Sequence, residues 1–123
     1  MHHTIVWVDI PVNDLDRAIA FYSAVLGQTV SREGGPGFSL GILPHSESEV
    51  GGCLYMADAD NAPSAKGPLL YLNAEGRLQA AVDAVAGRGG RVLQPPHEIG
   101  PHGWRAIVLD SEGNRIALHA SAK

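Results

Sequence analysis

The chain is expected to adopt an α+β fold: two βαβββ modules forming one curved mixed sheet, with helices on the outer face and an open cup on the other. Three observations predict this. Residues 4–12, TIVWVDIPV, alternate with a period of two, the pattern of a strand with one face against a core. Residues 13–27 carry Leu15, Ala18, Ile19, Tyr22 and Leu26 at helical spacing. The order strand, helix, three strands then occurs again, with Leu15, Ala18 and Ile19 mapping onto Leu78, Ala81 and Val82. The repeat is one of pattern rather than of identity.

Taken in order, the first strand puts Val6, Val8, Ile10 and Val12 on one face and Ile5, Trp7, Asp9 and Pro11 on the other. Asn13 or Asp14 can cap the helix, Asp14 and Asp16 suit its positive end, and Gly27 suits its stop. QTVSR, FSLGIL and GGCLYM read as three strands, separated by the turn-like EGGPG and PHSESE. Residues 57–67 form a polar linker. PLLYLN is a strand, and GRLQAAVDAVAGRGG is a helix with Leu78, Ala81, Val82 and Val85 on one side. RVLQ, GWRAIVL and NRIALHA complete the second module. The organisation is therefore one domain over residues 1–123: module one about 1–56, the linker, and module two about 68–121.

If the valine face of the first strand meets the helices, the opposite parity lines the cup: Trp7, Asp9, Arg115, Ala117 and His119. A concave, mostly apolar surface with a few polar groups is the usual small-molecule pocket.

Composition narrows the function classes. The chain is 45 % hydrophobic and 18 % charged, which is globular, and its net charge of −4 with no Lys/Arg cluster argues against a nucleic-acid partner. No apolar run approaches the ~20 residues that span a bilayer. A single cysteine, Cys53, excludes an internal disulfide, and MHH before a strand reads as no secretory signal, so the cytoplasm is expected. His2 and His3 read as a frayed terminus rather than as ligands.

VDIPVNDLDRAIAFYSAVLG, GGRVLQPP and GWRAIVLDSEGNRIALH resemble the glyoxalase / bleomycin-resistance / extradiol-dioxygenase superfamily, the vicinal oxygen chelate proteins. The resemblance covers nearly the whole chain. DLDRAIAFY after the first strand together with D-x-EGN-x-I before the last carries most of it, and Ser111 replaces the proline usual in that turn. The resemblance implies a cup that holds a divalent metal through His, Gln or Glu from several strands, open to a substrate with adjacent oxygens. The first-strand ligand position, seven residues before Asp14, falls on Trp7; the last-strand position, three after Asn114, falls on Ala117. The second module's first strand offers Pro68, Leu69 and Leu70, and the strand ending module one offers Cys53, Leu54, Tyr55 and Met56. No metal or other cofactor is therefore expected, unless ligands are displaced onto His97, His102 and His119.

Other residues compete for a role. HEIGPH, His97 to His102, has one residue too many for a zinc-peptidase helix, and Gly100-Pro101 forbids that helix. As a loop over the cup it supplies either two solvated histidines or ligand contacts. His119 and His102 are the candidate general bases, although a strand-end histidine is more often simply hydrogen-bonded. Arg115 and Arg105 can grip a carboxylate in bidentate fashion or form surface salt bridges. Asp9 calls for a partner, with an arginine from a neighbouring strand as the natural one. Trp7, Tyr55, Tyr71 and Trp104 can stack a planar ligand or fill core. Cys53 reads as a small core residue rather than a nucleophile, and GGPG and GRGG read as turns rather than phosphate loops.

The expected function is binding of a small organic molecule in the cup. Trp7 and Trp104 stack it, Asp9, Arg115 and His119 orient it, Ala117 lines the floor, and His97 and His102 sit at the rim. The alternatives are an enzyme of lyase, isomerase or oxygenase type, or an interaction module with a vestigial cup. Open sheet edges and the family pattern point to a homodimer.

Overall fold

The computed structural model describes residues 3–123, so His2 lies outside the described residues. The elements run β1 (Trp7–Val12), α1 (Leu15–Leu26), β2 (Ser31–Gly35), β3 (Phe38–Ile42), β4 (Gly51–Met56), β5 (Leu70–Asn73), α2 (Leu78–Gly87), β6 (Arg91–Glu98), a 3-10 turn (Gly100–His102), β7 (Trp104–Leu109) and β8 (Arg115–Ala120). This is the βαβββ order twice. Hydrogen bonding divides the strands into two mixed sheets, β1-β4-β3-β2 and β5-β8-β7-β6, with β1–β4 and β5–β8 parallel. Among the described residues no ladder joins β1 to β5, so the modules meet through side chains rather than through one continuous sheet.

Both helices lie on one face and share a core. Ile10, Val12 and Leu54 from module one and Ile116, Leu118 and Val108 from module two pack with Phe21, Tyr22, Val25, Leu78, Ala81 and Val85 of the helices. One cluster spans both modules, so neither has a separate core. Helix α1 starts where the sequence placed it: Asp14 caps it through the Arg17 N–H at 3.0 Å, and Gly27, at φ 70°, closes it with its N–H on the Ser23 carbonyl. Helix α2 lacks a side-chain cap.

Two boundaries differ from expectation. The second strand begins at Ser31, so Gly34 and Gly35 lie in it and Pro36-Gly37 alone forms the turn, with Gly37 at φ 84°. Strand β6 runs on through Pro95-Pro96 to Glu98, which places His97 on a strand rather than in a loop. Proline offers no ladder N–H, and β6 tolerates two because it is the sheet edge. Its register to β7 shifts on both sides of Gln94.

The buried motif residues form a clasp between the ends of the chain. The Glu112 carboxylate accepts the backbone N–H groups of Asn13 and Asp14 at 2.8 and 2.9 Å, both arms of Arg17 at 2.7 and 2.9 Å, and the Ser111 hydroxyl at 2.8 Å. Asp110 accepts the Tyr22 hydroxyl at 2.5 Å and the N–H groups of Glu112 and Asn114. Asn114 donates to the Pro11 carbonyl at 2.9 Å and accepts the Ser64 N–H at 3.1 Å. The DLDRAIAFY and D-x-EGN segments are thus two halves of one structural joint.

Candidate functional site

Strand parity decides which side chains see the concave face. Val8, Ile10 and Val12 turn to the helices, and Trp7 and Asp9 turn away. On β8, Ile116 and Leu118 face the core, while Ala117 and His119 face the cup. Cys53, Ile107 and Ala117 are at most 4 % exposed yet stand apart from the helix-side core, so they form the floor of the concave face.

In module two, the pairing register aligns one row across four strands: Asn73, His119, Arg105 and His97. The next row holds Tyr71, Ala117 and Ile107. Where Ala117 has only a methyl, its neighbour Tyr71 leans over, its ring 6.1 Å from that of His119 and beneath the Arg105 guanidinium at 5.9 Å. Arg105 donates through Nη1 to the Tyr71 hydroxyl and through Nε to His97 Nε2 at 3.1 Å. His97 Nδ1 lies 2.9 Å from the Pro95 carbonyl. A carbonyl only accepts, so Nδ1 carries the proton and Nε2 is left as the acceptor for Arg105: His97 is neutral here. His119 Nε2 donates in the same way to the His102 carbonyl at 2.6 Å. Tyr71, Ile99, His102, Arg105 and His119 line a cleft of about 460 Å³.

Module one contributes a second group. The Trp7 indole donates to Asp9 Oδ1 at 2.8 Å and meets His45 edge-on at 5.8 Å. The same Asp9 oxygen accepts the Cys53 thiol at 3.3 Å. Burial, reinforced by the Asp9 carboxylate, pushes the Cys53 thiol up to about 11, so it stays protonated and unreactive at neutral pH. His45 lines a larger groove, of about 930 Å³, that runs between the modules to Tyr71 and Asn73. Tyr71 therefore borders both cavities.

Several expected site residues are placed otherwise. Trp104 pairs with Ala120 and packs against the helix-side core, with Lys123 over its ring, so it does not stack a ligand in the cup. The run GWRAIVL is apolar apart from Arg105, and its pairing sets which face Trp104 takes. Arg115 shares the face of Ala117 but is drawn to the linker, donating to the Ala65 carbonyl at 3.1 Å. Asp9 finds an indole and a thiol instead of the expected arginine; among the described residues the ion pairs are Arg17–Glu112 and Arg32–Asp16. His97, His102 and His119 do converge, with Arg105 and Tyr71. His45 went unnoticed because PHSESE reads as a turn and nothing in its spacing ties it to Trp7.

The donors at these positions do not suit the metal that the resemblance implies. Trp7 and Ala117 offer no lone pair, and Cys53, the inward residue of β4, is a protonated thiol committed to Asp9. Both nitrogens of His97 are already engaged. Among the described residues no three His, Cys, Asp or Glu side chains are grouped to hold an ion. The residues present do not fit a resident divalent cation at the expected positions.

Comparison with known proteins agrees with this architecture. The family model of the Glyoxalase/Bleomycin resistance protein/Dioxygenase superfamily matches residues 4–118. The CFP32 protein of Mycobacterium tuberculosis, which carries a glyoxylase name, is 30 % identical over 111 residues, 89 % of this chain but 41 % of its own length. The chain thus spans about two fifths of that relative. A glyoxylase-like domain-containing protein of Didymella fabae is 27 % identical over 96 % of this chain and 94 % of its own. A crystal structure of a glyoxalase/bleomycin resistance protein from Albidiferax ferrireducens superposes with a TM-score of 0.76, at 21 % identity, over 96 % of this chain and 98 % of that one. Matched along almost its entire length, the chain belongs to the glyoxalase/bleomycin resistance protein/dioxygenase superfamily.

Proposed function

We propose that the chain binds a small organic molecule in the module-two cleft, without a resident metal. The observation that carries this reading is the convergence of Tyr71, His102, Arg105 and His119 around one concave space walled by Ile99. Polar groups fixed by neighbours, beside an apolar wall, are what orient a small ligand at low entropic cost. His45, which meets Trp7 edge-on, stands at the adjoining groove and extends the surface toward module one.

A thermal-shift screen with aromatic and 2-oxo compounds tests this. A ligand present at 100 times its dissociation constant adds about 2.7 kcal/mol of stability. The expected result is stabilisation by a member of the panel that is lost in Ile99→Asp, which puts a charge on the apolar wall. A panel that stabilises nothing, or a shift that survives Ile99→Asp, overturns the assignment. Metal analysis of protein purified without chelator or a nickel column is expected to find no stoichiometric ion.

A second reading has one observation in its favour. The His102 carbonyl accepts the His119 Nε2–H and so orients the ring, with Nδ1 outside that bond. An imidazole held in one orientation suits a general base, and it makes a lyase or isomerase the alternative. Under that reading, His119→Asn abolishes turnover but leaves ligand binding within a few fold, measured by single-turnover kinetics beside a binding titration. A second copy of the chain is the proposed protein partner, tested by sedimentation.

A further inference from the structure

Among the described residues Arg105 is a cation without a carboxylate partner. Its side-chain contacts are a neutral imidazole and a phenol oxygen, acceptors that carry no charge. They hold the guanidinium plane in position and leave its charge uncompensated. Glu75, the carboxylate whose field reaches His119, is itself tied to the Ser121 N–H and hydroxyl at 2.9 and 2.7 Å. Tyr71 adds a second demand. Its oxygen accepts from Arg105, so its own hydrogen must go elsewhere, and among the described residues it donates to none. A guanidinium edge beside a free phenolic O–H, with Ile99 as an apolar wall, is complementary to an oxyanion on a flat apolar body.

Resting on the reading of this cleft as the binding site, we propose that its ligand class is a small planar carboxylate. Arg105 and the Tyr71 hydroxyl take the carboxylate oxygens, and Ile99 meets the body of the molecule.

The test uses the whole chain and two probes matched in shape, benzoate and benzamide. Binding is read by NMR titration at the Ile99 methyl and His119 ring signals. Benzoate is expected to bind at least about tenfold more tightly than benzamide, since a charge-assisted pair is worth more than a neutral one. Arg105→Gln removes that preference, and Tyr71→Phe weakens benzoate more than benzamide. Should Arg105→Gln fail to fold, Arg105→Lys keeps the charge without the fork and is expected to retain a reduced preference for benzoate. Equal binding of the two probes, or a preference that survives Arg105→Gln, overturns the anion assignment while the cleft reading stands. So does a neutral aromatic alcohol that moves these signals when benzoate does not. If no probe moves them, both readings fall.

Discussion

Glu112 gathers five hydrogen bonds on a side chain with no solvent exposure. The pull of Arg17, Ser111 and the two N–H groups outweighs the cost of burial and lowers its carboxyl to about 2. A carboxyl held below its unfolded value near 4.5 contributes stability that is complete above that value and is lost as pH falls toward 2. The shift corresponds to a contribution on the order of 3 kcal/mol. Acid unfolding followed by circular dichroism checks this: Glu112→Gln is expected to be less stable at pH 7 and to lose the dependence between pH 5 and 2. Tyr22→Phe leaves Asp110 short of one buried partner and is expected to cost about 1–3 kcal/mol in urea denaturation. Cys53 is expected to resist iodoacetamide at pH 8 in the folded chain and to react once it is unfolded, read by mass spectrometry.

At the scale of elements, the junction of α2 with β6 leaves no room for a side chain at Gly90. A Cβ on Gly90 would stand 2.5 Å from the Leu109 carbonyl, 2.6 Å from Phe21 and 2.8 Å from Val85. Two of those neighbours are core and one is backbone, so Gly90→Ala is expected to destabilise by about 1–3 kcal/mol, visible as a lowered denaturation midpoint. The elements also show what a sequence can carry. Period two in TIVWVDIPV was enough to orient Trp7 and Asp9, because only one parity is uniformly apolar. On the last strand the same logic placed Ala117 and His119. It failed for Trp104, where Arg105 alone breaks an otherwise apolar run, and for His97, where Pro95-Pro96 looks like a break. Pairing partners, and therefore the row of Asn73, His119, Arg105 and His97, depend on register between distant strands, which local pattern does not encode. The D-x-EGN segment pointed to the family but not to its own role, since a clasp is defined by contacts almost a hundred residues away.

For the whole molecule, the shared core and the clasp tie the two sheets into one cooperative unit. Thermal unfolding is expected to be two-state, with far-ultraviolet dichroism and tryptophan emission giving the same midpoint. Trp7 reports on module one and Trp104 on module two, so separate midpoints in single-tryptophan variants would contradict a common core. The cup, by contrast, is built mainly by one module: Tyr71, Arg105, His119 and Ile99 all belong to the second half.

The position of Glu112 has a temporal side. While the ribosome is still translating module two, the first helix has its Asp14 cap but lacks the acceptor for Asn13, Asp14 and Arg17. That acceptor arrives only with the final hairpin, so a prematurely terminated product ending before residue 112 presents an unfinished helix entrance and an open hydrophobic layer, the kind of species that chaperones hold and proteases remove.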